Sequence, residues 1–152
     1  MKLNEEFDLE KKARKFLTEF YKEKGAYEII EAPYQPFDDW DRTVKFKNIT
    51  YKIEEKARIG IWDDILIELL EDVTTGDLGW YYQTKADKLI YCMFLDRDKE
   101  IPSRVYSIAL LDIKKYISEN SSVFEHPKLS YKGYGLTLNI FVPLDIAQQI
   151  YP

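Results

Sequence analysis

A chain of 152 residues, 45% hydrophobic and 15% aromatic with 6 Gly and 6 Pro, can bury a core of its own and reads as one folded domain. Its net charge of −5 speaks against a protein that coats nucleic acid by charge alone. A single cysteine excludes an internal disulfide, and no apolar run approaches the ~20 residues of a membrane helix.

In chain order, "EEFDLEKKARKFLTEFYKEKG" sets Glu10, Ala13, Leu17 and Phe20 at helical spacing, with Gly25 as the stop. The charged start "MKLNEEFDLEKKARKF" has no signal-peptide apolar segment, so a cytoplasmic setting is expected. "AYEIIEA" follows as a short strand ended by "PYQP". "DRTVKF" and "ITYKIEEKAR" form the arms of a hairpin, "DDILIELLED" is a fourth strand, and "TTGDLG" is a loop. "WYYQTKA" predicts a short helix leading into the strand "DKLIYCMFL", where Cys92 is a small core residue. "PSRVYSIALL" is another strand, "DIKKYISENS" a helix that Asp112 would cap, "YGLTLNIFVP" a late strand and "LDIAQQI" a closing helical turn or two. His126 sits before a proline in a loop with no second His or Cys nearby, which leaves little basis for a zinc site or a triad. The order predicts an α/β or α+β fold with one central mixed β-sheet flanked by helices.

The hairpin repays closer reading. Residues 41–58 hold six basic groups (Arg42, Lys45, Lys47, Lys52, Lys56, Arg58) against three acidic ones (Asp41, Glu54, Glu55), a cationic patch on an acidic chain. If Lys47-Asn48 is a two-residue turn, Phe46 pairs with Ile49, Thr43 with Lys52 and Asp41 with Glu54. Cross-strand partners share a face, and Lys56, two residues on, joins Asp41 and Glu54 there, with Asp39 opposite it. Trp40, Val44, Phe46, Tyr51, Ile53 and Ala57 take the other, core-like side, where Glu55 is out of place. Two adjacent carboxylates repel unless a cation lies between them, and carboxylate oxygens suit Mg²⁺. A neighbouring lysine can stabilise charge on a phosphorane-like transition state. A solvated strand face, its acids held by Lys45, Lys52 and Lys56, accounts for the same spacing.

The chain resembles the PD-(D/E)XK nuclease superfamily, of the restriction-endonuclease-like fold, and in particular its phage- and plasmid-type members. The resemblance rests on Asp41 before one strand and "Glu54-Glu55-Lys56" on the next, then on "ILIELLEDVTTGDLGWYYQTKADKLIYCMF" and "SRVYSIALLDIKKYI", about residues 8 to 118 in all. The motif centre is Glu55 where the family is usually apolar, and Trp40 stands where a proline usually precedes the Asp.

The resemblance implies a restriction-endonuclease-like core and a Mg²⁺-dependent (or Mn²⁺-dependent) nuclease acting on DNA. Asp41, Glu54 and the carbonyl of Glu55 would hold the metal, and Lys56 would be the catalytic lysine. Glu10 on the first helix, Asp39, Glu68 and Lys85 would support the site, while Arg42, Lys45, Lys52 and Arg58 would contact DNA. Trp62, Trp80, Tyr81 and Tyr82 are candidates for stacking on bases. Cutting two strands takes two sites, which implies a homodimer. The rival expectation is a non-catalytic nucleic-acid-binding or assembly protein that retains the fold.

Overall fold

The first helix runs as its apolar spacing dictates. In the computed structural model, which describes residues 3–32, 40–132 and 135–152, α1 spans Leu3–Glu23 and buries Leu9, Ala13, Leu17, Phe20 and Tyr21 on one face. It ends in a Schellman motif. Gly25 adopts φ 101°, its N–H donates to the Lys22 carbonyl at 3.0 Å, and the Ala26 N–H donates to the Tyr21 carbonyl at 2.9 Å.

Strands β1 (Glu28–Glu31), β2 (Arg42–Lys45) and β3 (Thr50–Ile59) form an antiparallel meander. Then come β4 (Asp64–Asp72), β5 (Asp77–Leu78), the short helix α2 (Trp80–Gln83), β6 (Lys88–Phe94), β7 (Arg104–Ala109) and α3 (Leu110–Glu119). A 3₁₀ turn at Ser121–Phe124 leads to β8 (Lys128–Lys132), β9 (Gly135–Pro143), a second 3₁₀ turn at Leu144–Ile146 and β10 (Gln148–Tyr151).

The fold is α+β, and its strands divide between two sheets where one was expected. The larger is a mixed six-stranded sheet in the order β1-β2-β3-β6-β7-β10, with β3 and β6 parallel; the smaller is four-stranded, β5-β4-β9-β8. The reason lies in β4. It buries alternate residues, Ile65, Ile67 and Leu69, so it offers one apolar face and stacks on the larger sheet as a second layer. By contrast "LIYCMF" of β6 is buried throughout. Ile90, Cys92 and Phe94 face α1, and Leu89, Tyr91 and Met93 face the smaller sheet. The larger sheet thus separates two apolar cores.

Two further expectations are corrected, and one strand is added. "LDIAQQI" gives one 3₁₀ turn, and its end becomes β10 beside β7, because Tyr151 docks edge-on against Phe16 (4.9 Å) and Phe20 (6.3 Å) of α1. The segment 128–132, to which no element was assigned from the sequence, is an edge strand on β9. Asp112 lies in the first turn of α3, where it favours the helix dipole, but Ala109 occupies the capping position. No helix among the described residues is long and apolar enough to cross a membrane.

Candidate active site at the open edge of a strand

The hairpin takes the register expected of it: Arg42 pairs with Ile53, Thr43 with Lys52, Val44 with Tyr51 and Lys45 with Thr50. The ladder then departs from regularity at Asp41. The Asp41 N–H donates to the Ile53 carbonyl at 2.9 Å, its carbonyl accepts from Ala32 N–H at 2.9 Å, and its Oδ2 accepts the Glu55 N–H at 2.7 Å. The carboxylate thereby takes the place of a neighbouring strand at the edge of β3. The same break sends Trp40 to the face of the smaller sheet, not to the side of Val44 and Ile53 where it was expected.

Glu54 and Lys56 project from the face opposite α1. The Glu54 Oε1 lies 3.4 Å from the Lys56 ammonium, and their side chains are only 9% and 28% exposed. The Lys56 ammonium also sits 5.6 Å from the centre of the Trp80 ring. Gly79, just before Trp80, lies close against β4, where a Cβ would meet the Glu68 carbonyl oxygen at 2.5 Å. Burial, reinforced by the charges of Asp41 and Glu10 and opposed by Lys56, pushes the Glu54 carboxyl up to about 7. Burial works against the Lys56 charge, yet Glu54, Asp41, Glu10 and Glu68 together hold its pKa above the ordinary value. Lys56 is therefore a fixed cation that can stabilise developing negative charge but cannot accept a proton near neutral pH.

A small cleft of about 60 Å³ opens at this edge, bounded by Glu10, Ala13 and Arg14 of α1, by Asp41 and by residues 55–57 of β3. That is room for a few waters or a partly hydrated ion. A residue in a strand points its N–H and C=O to the same edge, so the Glu55 carbonyl leaves β3 on the side where Asp41 takes its N–H.

The Glu55 side chain goes elsewhere, and this resolves its odd position in the motif. It is buried on the α1 side, where Arg42 grips it through Nε (3.1 Å) and Nη2 (2.6 Å), and the Tyr21 hydroxyl donates to it at 2.7 Å. Arg42, 1% exposed, also donates to the Thr18 hydroxyl (2.6 Å) and the Arg14 carbonyl (3.3 Å). A one-residue slip of β2 would throw this guanidinium to the other face, so the pair pins the register that the turn, lacking glycine, leaves loose. The expectation that Arg42 touches DNA is thus corrected: its donors are spent inside.

The other expected positions fall as follows. Lys45 pairs with Glu28 at 3.0 Å, and Arg58 pairs with Asp64 at 2.8 Å beneath Trp62 and Phe141. Lys52 is exposed over the Trp40 ring at 4.5 Å. Glu68 is part-buried on β4, Lys85 is exposed after α2, and Asp39 lies outside the described residues. Trp62 and Tyr82 are exposed, Trp80 is part-buried and Tyr81 is buried. His126 is exposed; Cys92 is buried, and burial raises its thiol pKa.

Asp41, Glu54, Lys56, Glu10 and Glu68 are drawn together electrostatically, whereas Lys85, Lys45 and Arg58 are engaged or placed elsewhere. Among the described residues, no group of three or more His, Cys, Asp or Glu side chains is spaced to hold a metal ion. Sequence reading passed over Arg14, whose i,i+4 spacing from Glu10 was the available signal. No protein-family model matches the chain, and no curated protein matches it significantly.

Proposed function

We propose that this chain is a Mg²⁺-dependent nuclease of the restriction-endonuclease-like kind that hydrolyses DNA phosphodiester bonds. The observation that carries the reading is the Lys56 ammonium, 3.4 Å from the Glu54 carboxylate and lining the small cleft with Asp41 and Glu10. The layout agrees with what the resemblance implies, since Asp41 directly precedes β2 and Glu54 and Lys56 lie on β3.

The donor set fits a hard cation. Mg²⁺ is commonly held by one or two carboxylates, with waters and phosphate oxygens in the remaining positions, and Mn²⁺ takes the same donors. Asp41, Glu54 and the Glu55 carbonyl are the groups that would hold it, and a cation there would offset the burial that, with lesser help from Asp41 and Glu10, disfavours the charged form of Glu54. When bound, the ion supplies a Lewis acid that draws charge from a phosphate oxygen. In hydrolysis the water oxygen bonds to phosphorus, a bridging P–O bond breaks, and the departing oxygen takes up a proton. Lys56 stabilises the added charge at phosphorus, and Asp41 is kept in place by its three backbone hydrogen bonds. Lys52 with Trp40 offers a charged and stacking surface for the strand, and a homodimer would bring two such sites to a duplex.

The test is supercoiled plasmid with Mg²⁺ or Mn²⁺. Nicking or linearisation by the wild type, lost in Lys56→Ala, supports the reading. That no three acidic side chains among the described residues are spaced to hold a metal favours a second reading, a non-catalytic protein that binds nucleic acid or assembles with partners while retaining the fold. That reading predicts DNA retention without cleavage in either metal.

A further inference from the structure

Arg14 stands on α1 one turn beyond Glu10, at the mouth of the cleft that Asp41 and residues 55–57 line. Its main chain is fixed: the carbonyl accepts from Thr18 Oγ1 at 2.8 Å and from Arg42 Nη2 at 3.3 Å. Its guanidinium is committed to nothing so firmly. It reaches Glu31 at 3.3 Å, Glu55 at 3.8 Å and Asp41 at 3.9 Å, all longer than the ~2.7–2.9 Å of a well-made charge-assisted hydrogen bond. The side chain is 48% exposed. Glu55, moreover, is already satisfied by Arg42 and Tyr21. A planar fork of donors beside a cleft, with only long contacts to its carboxylates and access to solvent, is able to take a phosphate oxygen in their place.

We infer that Arg14 is a further catalytic residue, contacting a non-bridging oxygen of the scissile phosphate from the α1 side while Lys56 acts from the sheet. The inference rests on the nuclease reading and adds to it a phosphate-contacting group from outside the Asp and Glu-x-Lys motif. Arg42, the nearest other guanidinium, cannot serve, because it is buried and fully engaged. Binding of a cation at Asp41 would also weaken the hold of that carboxylate on Arg14, which frees the fork as the site fills.

The test is cleavage of an end-labelled duplex oligonucleotide with Mg²⁺ at saturating enzyme, by wild type, Arg14→Gln and Arg14→Lys. A parallel substrate carries a methylphosphonate, which removes one non-bridging charge, at the scissile position. Arg14→Gln is expected to slow cleavage about 100-fold, with Arg14→Lys between it and the wild type. The methylphosphonate should cost the Gln variant about tenfold less than it costs the wild type, because the partner of that oxygen is already gone. A Gln variant within about threefold of wild type, or an equal methylphosphonate penalty in both, overturns the inference and leaves the nuclease reading standing. A wild type that cuts nothing removes both. Should Arg14→Gln melt early, Arg14→Lys tests the fork instead of the charge: slower cleavage than wild type supports the inference, and a rate equal to wild type overturns it.

Discussion

Replacing Glu54 by Gln should stabilise the fold in mild alkali and much less in mild acid. The folded-state pKa of Glu54 is raised to about 7 from 4.5, principally because the carboxyl is buried and secondarily because Asp41 and Glu10 are near. Between those two values the folded chain keeps a proton that the unfolded chain has lost, so stability falls as pH rises through that window and is level above it. The shift corresponds to about 3 kcal/mol, at ~1.4 kcal/mol per pKa unit. Lys56 stays charged throughout, because Glu54, Asp41, Glu10 and Glu68 outweigh the effect of its burial. Gln is nearly isosteric with the protonated acid and carries none of this dependence. Urea denaturation of both proteins at pH 5 and pH 8 measures the effect: Glu54→Gln gains roughly 1 kcal/mol at pH 5, where the unfolded carboxyl has already begun to ionise, and about 3 kcal/mol at pH 8. An equal offset at both pH values would refute the reasoning. So would a Gln variant less stable at pH 8, since Glu54 would then be an ordinary stabilising partner of Lys56.

Two more substitutions probe the scaffold of the site. Arg42→Ala leaves the buried Glu55 carboxylate without its main partner and should cost about 3–5 kcal/mol in urea denaturation, while the double variant Arg42→Met, Glu55→Leu should recover most of that. Gly79→Ala sets a Cβ 2.5 Å from the Glu68 carbonyl oxygen, and the displacement of α2 should cost about 1–3 kcal/mol, read as a lower melting temperature.

The hairpin was legible because its two arms alternate around a short turn, so one assumption about the turn sets every pair up to Arg42 and Ile53. The same arithmetic carried a signal that went unread. Arg42 shares a face with Val44, and Glu55 shares it with Ile53, so the two misplaced charges of the core side are each other's partners. The run "LIYCMF" was legible as a strand for a different reason: it is apolar at every position, and it is buried on both faces. The division into two sheets was not legible. Alternation in β4 tells that one face is buried but not what covers it, and its partner β9 lies some 70 residues on. The closing strand depends on Tyr151 meeting Phe16 and Phe20 of the first helix, a contact that no local pattern announces. Of the candidate site, Asp41, Glu54 and Lys56 were proposed from spacing, and Glu10 from the resemblance together with its helical stripe. Arg14 and Trp80 emerge only when α1 and α2 are seen on either side of β3.

The most direct measurement is Mn²⁺ binding to the purified protein at pH 8, followed by the electron paramagnetic resonance of free Mn²⁺, for wild type, Asp41→Asn and Glu54→Gln. A single site in the wild type, weakened about tenfold or more in each variant and displaced by Mg²⁺, is the predicted result. No binding in the wild type, or binding that neither substitution alters, would contradict the account, because Asp41 and Glu54 would then share no cation beside Lys56.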